Sequence, residues 1–226
     1  VPDCAFRVEF NILKKWNLVP LYFFGSSTDA SYIESSLKEG TCKLQDFTAI
    51  YGYNPLKKEY VRLYNYGESI SQLSSSLSAF QSIGEAQHRA YQVGTTSTID
   101  PEISTTLIGN WFNSVWVFSK NECKLAAELP KTLEDFLLIL AREAEQTGKR
   151  FAAGLNLFVG GKDIEGKSLD EIRGDCNIEK AYTFDTASQS WKRITTGVGP
   201  STNFVVKVSN KCMLGLPEIA PPEIPT

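Results

Sequence analysis

The chain has 226 residues, of which 42% are hydrophobic and 12% aromatic, with a net charge of -3. That is apolar mass enough for one large domain or two of about 100 residues each, and it excludes a chain disordered throughout. No Lys/Arg cluster stands out, which argues against nucleic acid or an anionic membrane surface as partner, and no run of about 18 apolar residues is long enough to span a bilayer.

The first residue is Val1, consistent with removal of a signal peptide or with an excised fragment. In Cys4–Leu13, Phe6, Val8, Phe10 and Ile12 alternate with polar residues, the pattern of a half-buried strand. Trp16 to Phe24 is a short apolar run that predicts a buried strand. Asp29 is placed to cap a helix over Ala30–Glu39, stopped by Gly40. Phe47, Ala49, Tyr51 and Tyr53 then alternate into the turn Asn54-Pro55-Leu56-Lys57, and Tyr60 to Leu63 returns, a hairpin. An apolar stripe (Ile70, Leu73, Leu77, Phe80, Ile83) predicts a helix from about Ser69 to Tyr91. Gly94–Ile108 reads as strand or loop, and Val115–Ser119 as a strand. Thr132-Leu-Glu-Asp135 opens a helix running to Gly148. A second apolar run spans Phe151–Val159, followed by a short helix capped by Ser168 and stopped by Gly174. A second hairpin turns at Asp185–Ser190, and Phe204–Ser209 is the last strand. The segment 217–226, Pro-Glu-Ile-Ala-Pro-Pro-Glu-Ile-Pro-Thr, is Pro-rich and extended.

Five blocks occur twice in the same order. Trp16-Asn17-Leu18 matches Leu155-Asn156-Leu157, and Gly40-Thr41-Cys42 matches Gly174-Asp175-Cys176. Tyr51-Gly52-Tyr53-Asn54 matches Tyr182-Thr183-Phe184-Asp185. Tyr60-Val61-Arg62-Leu63 matches Trp191-Lys192-Arg193-Ile194, each seven residues after its partner aromatic. Trp116-Val117-Phe118-Ser119 before Cys123 matches Val206-Lys207-Val208-Ser209 before Cys212. The predicted fold class is therefore α+β with two tandem related units, each a small, mainly antiparallel sheet with a packed helix. Unit one covers 1–130, with an insertion at about 66–112; unit two covers 131–216 with its leading helix; 217–226 is the tail.

None of the five cysteines lies in C-x-x-C, and His88 is the single histidine, so a Cys₂His₂ zinc site cannot be built. No metal or cofactor is expected. Equivalent cysteines should play equivalent roles, which selects Cys42 with Cys123 and Cys176 with Cys212. Cys4 is left unpaired or bridges to another chain. Disulfides imply an oxidising compartment.

The blocks Trp16-Asn17-Leu18-Val19, Tyr53-Asn54, Tyr60-Val61-Arg62-Leu63, Phe184-Asp185 and Trp191-Lys192-Arg193-Ile194 resemble tandem Trp-Asn-Leu-Val/aromatic-strand repeat modules of secreted and surface proteins of archaea and bacteria. Leu155 stands where the module carries Trp. The resemblance implies an extracellular, accessory or structural role and supplies no catalytic residues.

Several local signals point elsewhere. Gly161 to Ser168 matches the phosphate-cradling pattern G-x-x-x-x-G-K-[ST], with Lys167 and Ser168 suitably typed. However, Asp163 and Glu165 place carboxylates in the cradle, and the helix that follows is short, so a solvated connection is the better reading. His88 lacks a nucleophile and an orienting acid. Glu134/Asp135, Glu143/Glu145 and Asp170/Glu171 look like solvated helix faces. No catalytic residue is assigned, and the chain is read as non-enzymatic. The expected function is an extracellular or cell-surface structural subunit that self-associates or binds other surface proteins, with the N-terminal strand a candidate for addition to a neighbour's sheet. The alternative is an adhesin-like module that recognises glycan or protein through exposed aromatics, with Trp111 and Trp116 as candidates.

Overall fold

The alternating segments become strands, and most of them assemble into two four-stranded sheets. The computed structural model describes residues 5–24, 30–89, 114–130, 150–159, 166–195 and 203–213. Cys4, Asp29, Trp111, the segments predicted at 94–108 and 132–148, and the tail 217–226 lie outside the described residues. In chain order the strands are β1 (Ala5–Ile12), β2 (Lys15–Pro20), β3 (Phe47–Asn54), β4 (Glu59–Asn65), β5 (Ser114–Ser119), β6 (Cys123–Pro130), β7 (Arg150–Phe151), β8 (Gly154–Val159), β9 (Ile178–Asp185), β10 (Ser190–Arg193), β11 (Asn203–Val208) and β12 (Cys212–Met213). The helices are α1 (Ala30–Glu39), α2 (Ile70–Arg89) and α3 (Leu169–Ile172). The architecture is mixed α+β with antiparallel strand pairing.

Sheet one has the spatial order β2-β5-β3-β4, and sheet two the order β8-β11-β9-β10. In both, the last strand in sequence lies between the first strand and the hairpin. Each sheet has a companion pair: β1 with β6, and β7 with β12. The turn into the first strand of each sheet is stapled by a buried asparagine. Asn17 Oδ1 accepts from Leu13 N (2.9 Å) while its Nδ2 donates to Leu13 O (2.8 Å). Asn156 does the same with Ala152 N (3.1 Å) and Ala152 O (2.9 Å). Between staple and turn the backbone passes through the left-handed region, at Lys15 (φ 78°) and Gly154 (φ 110°). This splits the second apolar run, read as one strand over 151–159, into β7 and β8. The first run also divides: β2 ends at Pro20, and Leu21–Phe24 form a buried 3-10 turn under α1.

The hairpins are built alike. Asn54 Oδ1 accepts from Leu56 N and Lys57 N, and Asp185 Oδ1 from Ala187 N and Ser188 N. Each turn closes through one left-handed residue, Lys58 (φ 58°) or Gln189 (φ 52°). The seven-residue spacing puts Tyr53 directly opposite Tyr60 and Phe184 opposite Trp191, with both ring pairs 5.3 Å apart. Cross-strand aromatic contacts of this kind hold register.

Alternation sends Val19, Ile50, Val115 and Val117 to one face of sheet one, where α1, α2 and the 3-10 turn cover them. α2 starts with a reciprocal cap in which Gln72 N donates to Ser69 Oγ and Ser69 N to Gln72 Oε1. It packs so tightly that a methyl group on Gly52 would sit 2.4 Å from the Phe80 ring. Among the described residues, the equivalent face of sheet two holds Phe151, Ile172, Phe204, Val206 and Val208.

Disulfides join Cys42 to Cys123 and Cys176 to Cys212. Both tie the segment before the hairpin to the companion strand pair. Cys123 opens β6, a strand that no local pattern announces. The N-terminal strand, a candidate for addition to a neighbour's sheet, is laddered within the chain: Ala5–Ile12 pairs antiparallel with Cys123–Pro130.

Candidate functional site: an aromatic cleft between the sheets

The faces of the two sheets turned away from these cores meet each other. Leu18, Trp116, Leu157 and Val205 are buried between them, flanked by Trp16, Tyr51, Tyr53 and Phe184. Period-2 alternation explains the selection: Asn17 and Val19 point into core one, so Trp16 and Leu18 must point out of it. Polar contacts at the edges complete the junction. Gln189, at the second hairpin turn, accepts from Trp16 N (3.0 Å) and donates to Trp16 O (2.8 Å). Lys58, at the first hairpin turn, approaches the start of β8, where a methyl on Gly154 would lie 3.6 Å from its Cε. Ser114 Oγ donates to Asn203 Oδ1 (2.8 Å) in the buried centre.

Where the hairpins diverge, the junction opens into a cavity of about 410 Å³ lined by Trp16, Tyr51, Tyr60, Trp116, Phe184 and Trp191. Trp116 forms its floor and is only 8% exposed. Tyr60 and Trp191 form its rim, 59% and 47% exposed. The rings stand nearly perpendicular to one another: Trp116 to Phe184 at 84° and 4.9 Å, Trp116 to Trp191 at 85° and 5.5 Å, and Trp16 to Trp116 at 87° and 6.2 Å. Edge-to-face packing of this kind is the favoured arrangement of quadrupolar rings, and it leaves slots bounded by flat apolar faces. Arg62 lies opposite Tyr51, and Arg193 opposite Tyr182. Each is two residues beyond a rim aromatic, so strand alternation puts both guanidinium side chains on the cleft face of their strands. Arg62 also contacts Glu68 at 3.8 Å.

Of the two aromatics singled out in the sequence, Trp116 belongs to the cleft and Trp111 lies outside the described residues. The other five lining residues were read only as repeat blocks and register pairs. The signal that identifies them is the aromatic-x-Arg pattern on both return strands, whose two side chains must share a face. The phosphate-loop match falls mostly outside the described residues. At its described end Ser168 is committed to α3: its N and Oγ donate to the Glu171 carboxylate at 2.7 and 2.8 Å, and its Oγ accepts from Glu171 N. The Ser168 N–H, then its hydroxyl, hold the Glu171 carboxyl below the usual carboxylate range. Asp175, Cys176 and Cys212 lie close together, yet the two sulfurs are bonded to each other, which takes them out of play as metal ligands.

Protein-family models, curated proteins and solved structures all return no match to this chain. No helix among the described residues is long and apolar enough to cross a membrane. The two disulfides fit an oxidising, extracellular-type environment.

Proposed function

We propose that this is a non-enzymatic extracellular or cell-surface assembly protein, built from two tandem copies of one disulfide-braced unit, whose aromatic cleft is its contact site. The observation that carries the contact-site reading is the half-exposed pair Tyr60 and Trp191 above the buried floor of Trp116. Amphipathic rings with few rotatable bonds are typical anchors of protein interfaces, because they bury large area at low entropic cost. Duplication is supported by the matching strand orders, the two asparagine staples, the two capped hairpins and the two bridges. It is further supported by the junction, where each hairpin turn reaches the start of the other sheet, as in a two-fold dimer. The domain division at about residue 130 follows from the same reading.

Sedimentation at rising concentration tests it. Association is expected, and Tyr60→Ala with Trp191→Ala should abolish it; a chain that stays monomeric throughout would count against assembly. A second reading, glycan recognition, is favoured by the flat exposed face of Trp191, which suits stacking on a sugar. Binding to a glycan array that Trp191→Ala removes would establish that reading instead.

A further inference from the structure

We infer that the occupant of the aromatic cleft is the Pro-rich segment 217–226 of a second copy of this chain. The inference rests on the cleft being the contact site and names what fills it. Three observations converge. First, the cleft is a set of slots between perpendicular aromatic rings, the shape that receives proline rings of a polyproline II helix. Second, the segment has four prolines in ten residues, including Pro222-Glu-Ile-Pro225, a P-x-x-P spacing. Proline-rich composition favours polyproline II, a conformation that loses little entropy on docking. Third, the charges complement each other. The segment carries Glu218 and Glu223 with no Lys or Arg, while Arg193, and Arg62 with its contact to Glu68, stand on the return strands beside the cleft. A cationic or quaternary-ammonium ligand, the other common guest of aromatic cages, is disfavoured by those same arginines.

A neighbouring copy supplies the segment because of where it starts. Cys212, near its root, packs with Phe151 and Cys176 in the second core, on the face of sheet two opposite Val205 and Phe184. Only Leu214, Gly215 and Leu216 separate Met213 from Pro217. Three residues reach roughly 10 Å, about one sheet spacing, and they start from the side of sheet two turned away from its own cleft. Head-to-tail insertion of this sort is a heterologous contact, which propagates into a ring or a filament.

The test compares three chains by sedimentation: the full chain, a chain ending at Met213, and Trp191→Ala. A synthetic peptide of residues 214–226 is also titrated into the shortened chain with tryptophan fluorescence as readout. The expected result is association of the full chain alone, with both altered chains monomeric. The peptide should bind the shortened chain saturably, at least about tenfold more weakly after Trp191→Ala. Glu218→Lys with Glu223→Lys in the peptide should weaken it further at low salt. If Trp191→Ala abolishes association but shortening does not, the cleft remains the contact site and this occupant is wrong. If neither change matters, the contact-site reading fails as well. If the full chain is monomeric while the shortened chain binds the peptide, the segment fills its own cleft and the second-copy inference is overturned. Circular dichroism of Trp191→Ala confirms the fold in each case.

Discussion

The two halves of the molecule share a strand order and differ, among the described residues, in what packs on it. In the first, α1, α2 and the 3-10 turn bury a wide core that includes Tyr64, Phe23, Phe24 and Phe47; among the described residues of the second, α3 and β7 pack on a smaller cluster. The difference is concentrated at one residue. Gly52 has no side chain, and Phe80 of α2 occupies the space where one would be. Thr183, at the matching position of β9, carries a hydroxyl that donates to Asn203 O at 2.8 Å. On this strand of sheet one the helix takes the space that a side chain would fill.

The two disulfides are the largest effect to test. In the chain-entropy model, with separations of 81 and 36 residues, the bridges contribute about 4.5 and 3.8 kcal/mol respectively. Removing Cys42 and Cys123 as alanines should lower urea stability by about that amount while unfolding remains a single transition. Removing Cys176 and Cys212 should instead separate the transitions, with the second half melting first. Equal, single transitions in both would break the contrast between the two halves.

Next come the staples. Asn17→Ala and Asn156→Ala each leave a backbone N–H and C=O without their side-chain partner, at an expected cost of about 2–4 kcal/mol. Similar losses from the two would sharpen the idea that one turn design was used twice; a near-neutral result at either would refute it there. Gly52→Thr, which copies the second half into the first, should cost about 1–3 kcal/mol by driving a side chain into Phe80. Shortening Phe80 to Leu in the same chain should recover part of that loss. If Gly52→Thr is neutral, α2 is not seated on β3 as described.

The smallest effect distinguishes the hairpin turns by pH. Asp185 is drawn down to about 2, chiefly by the Lys192 ammonium and then by the Ser188 N–H and other turn donors. Because its folded value lies below the ordinary 3.8, its contribution is fully present above about pH 4 and is lost as pH falls toward 2. Asn54, at the matching position, does not titrate. Amide exchange at Ala187 and Ser188 should therefore accelerate between pH 4 and 2 relative to the first turn, and Asp185→Asn should remove the difference. A parallel response of both turns would show that the side-chain charge is irrelevant.

Much of this arrangement was legible in the chain itself. The seven-residue interval between Tyr53 and Tyr60, and between Phe184 and Trp191, implied two hairpins in register, and the ladders place those rings opposite each other. The cysteines next to Gly40-Thr41 and Gly174-Asp175 implied the same two pairs that the structure bonds. β6 escaped notice because Cys123–Pro130 has no clean alternation, and its strand identity comes from pairing with β1 more than a hundred residues away. Leu21–Phe24 misled for a related reason: a fully buried 3-10 turn and a buried strand are both continuous apolar runs.

Alternation, turn residues and spacing act over a few residues, so the sequence alone determined the hairpins, the caps and the face on which each aromatic stands. Which face meets which is settled by contacts between segments far apart in the chain. The cleft exists only because Trp16 and Trp116 of one sheet face Phe184 and Trp191 of the other. No local pattern encodes that meeting, because the rings that make it come from strands far apart in the chain.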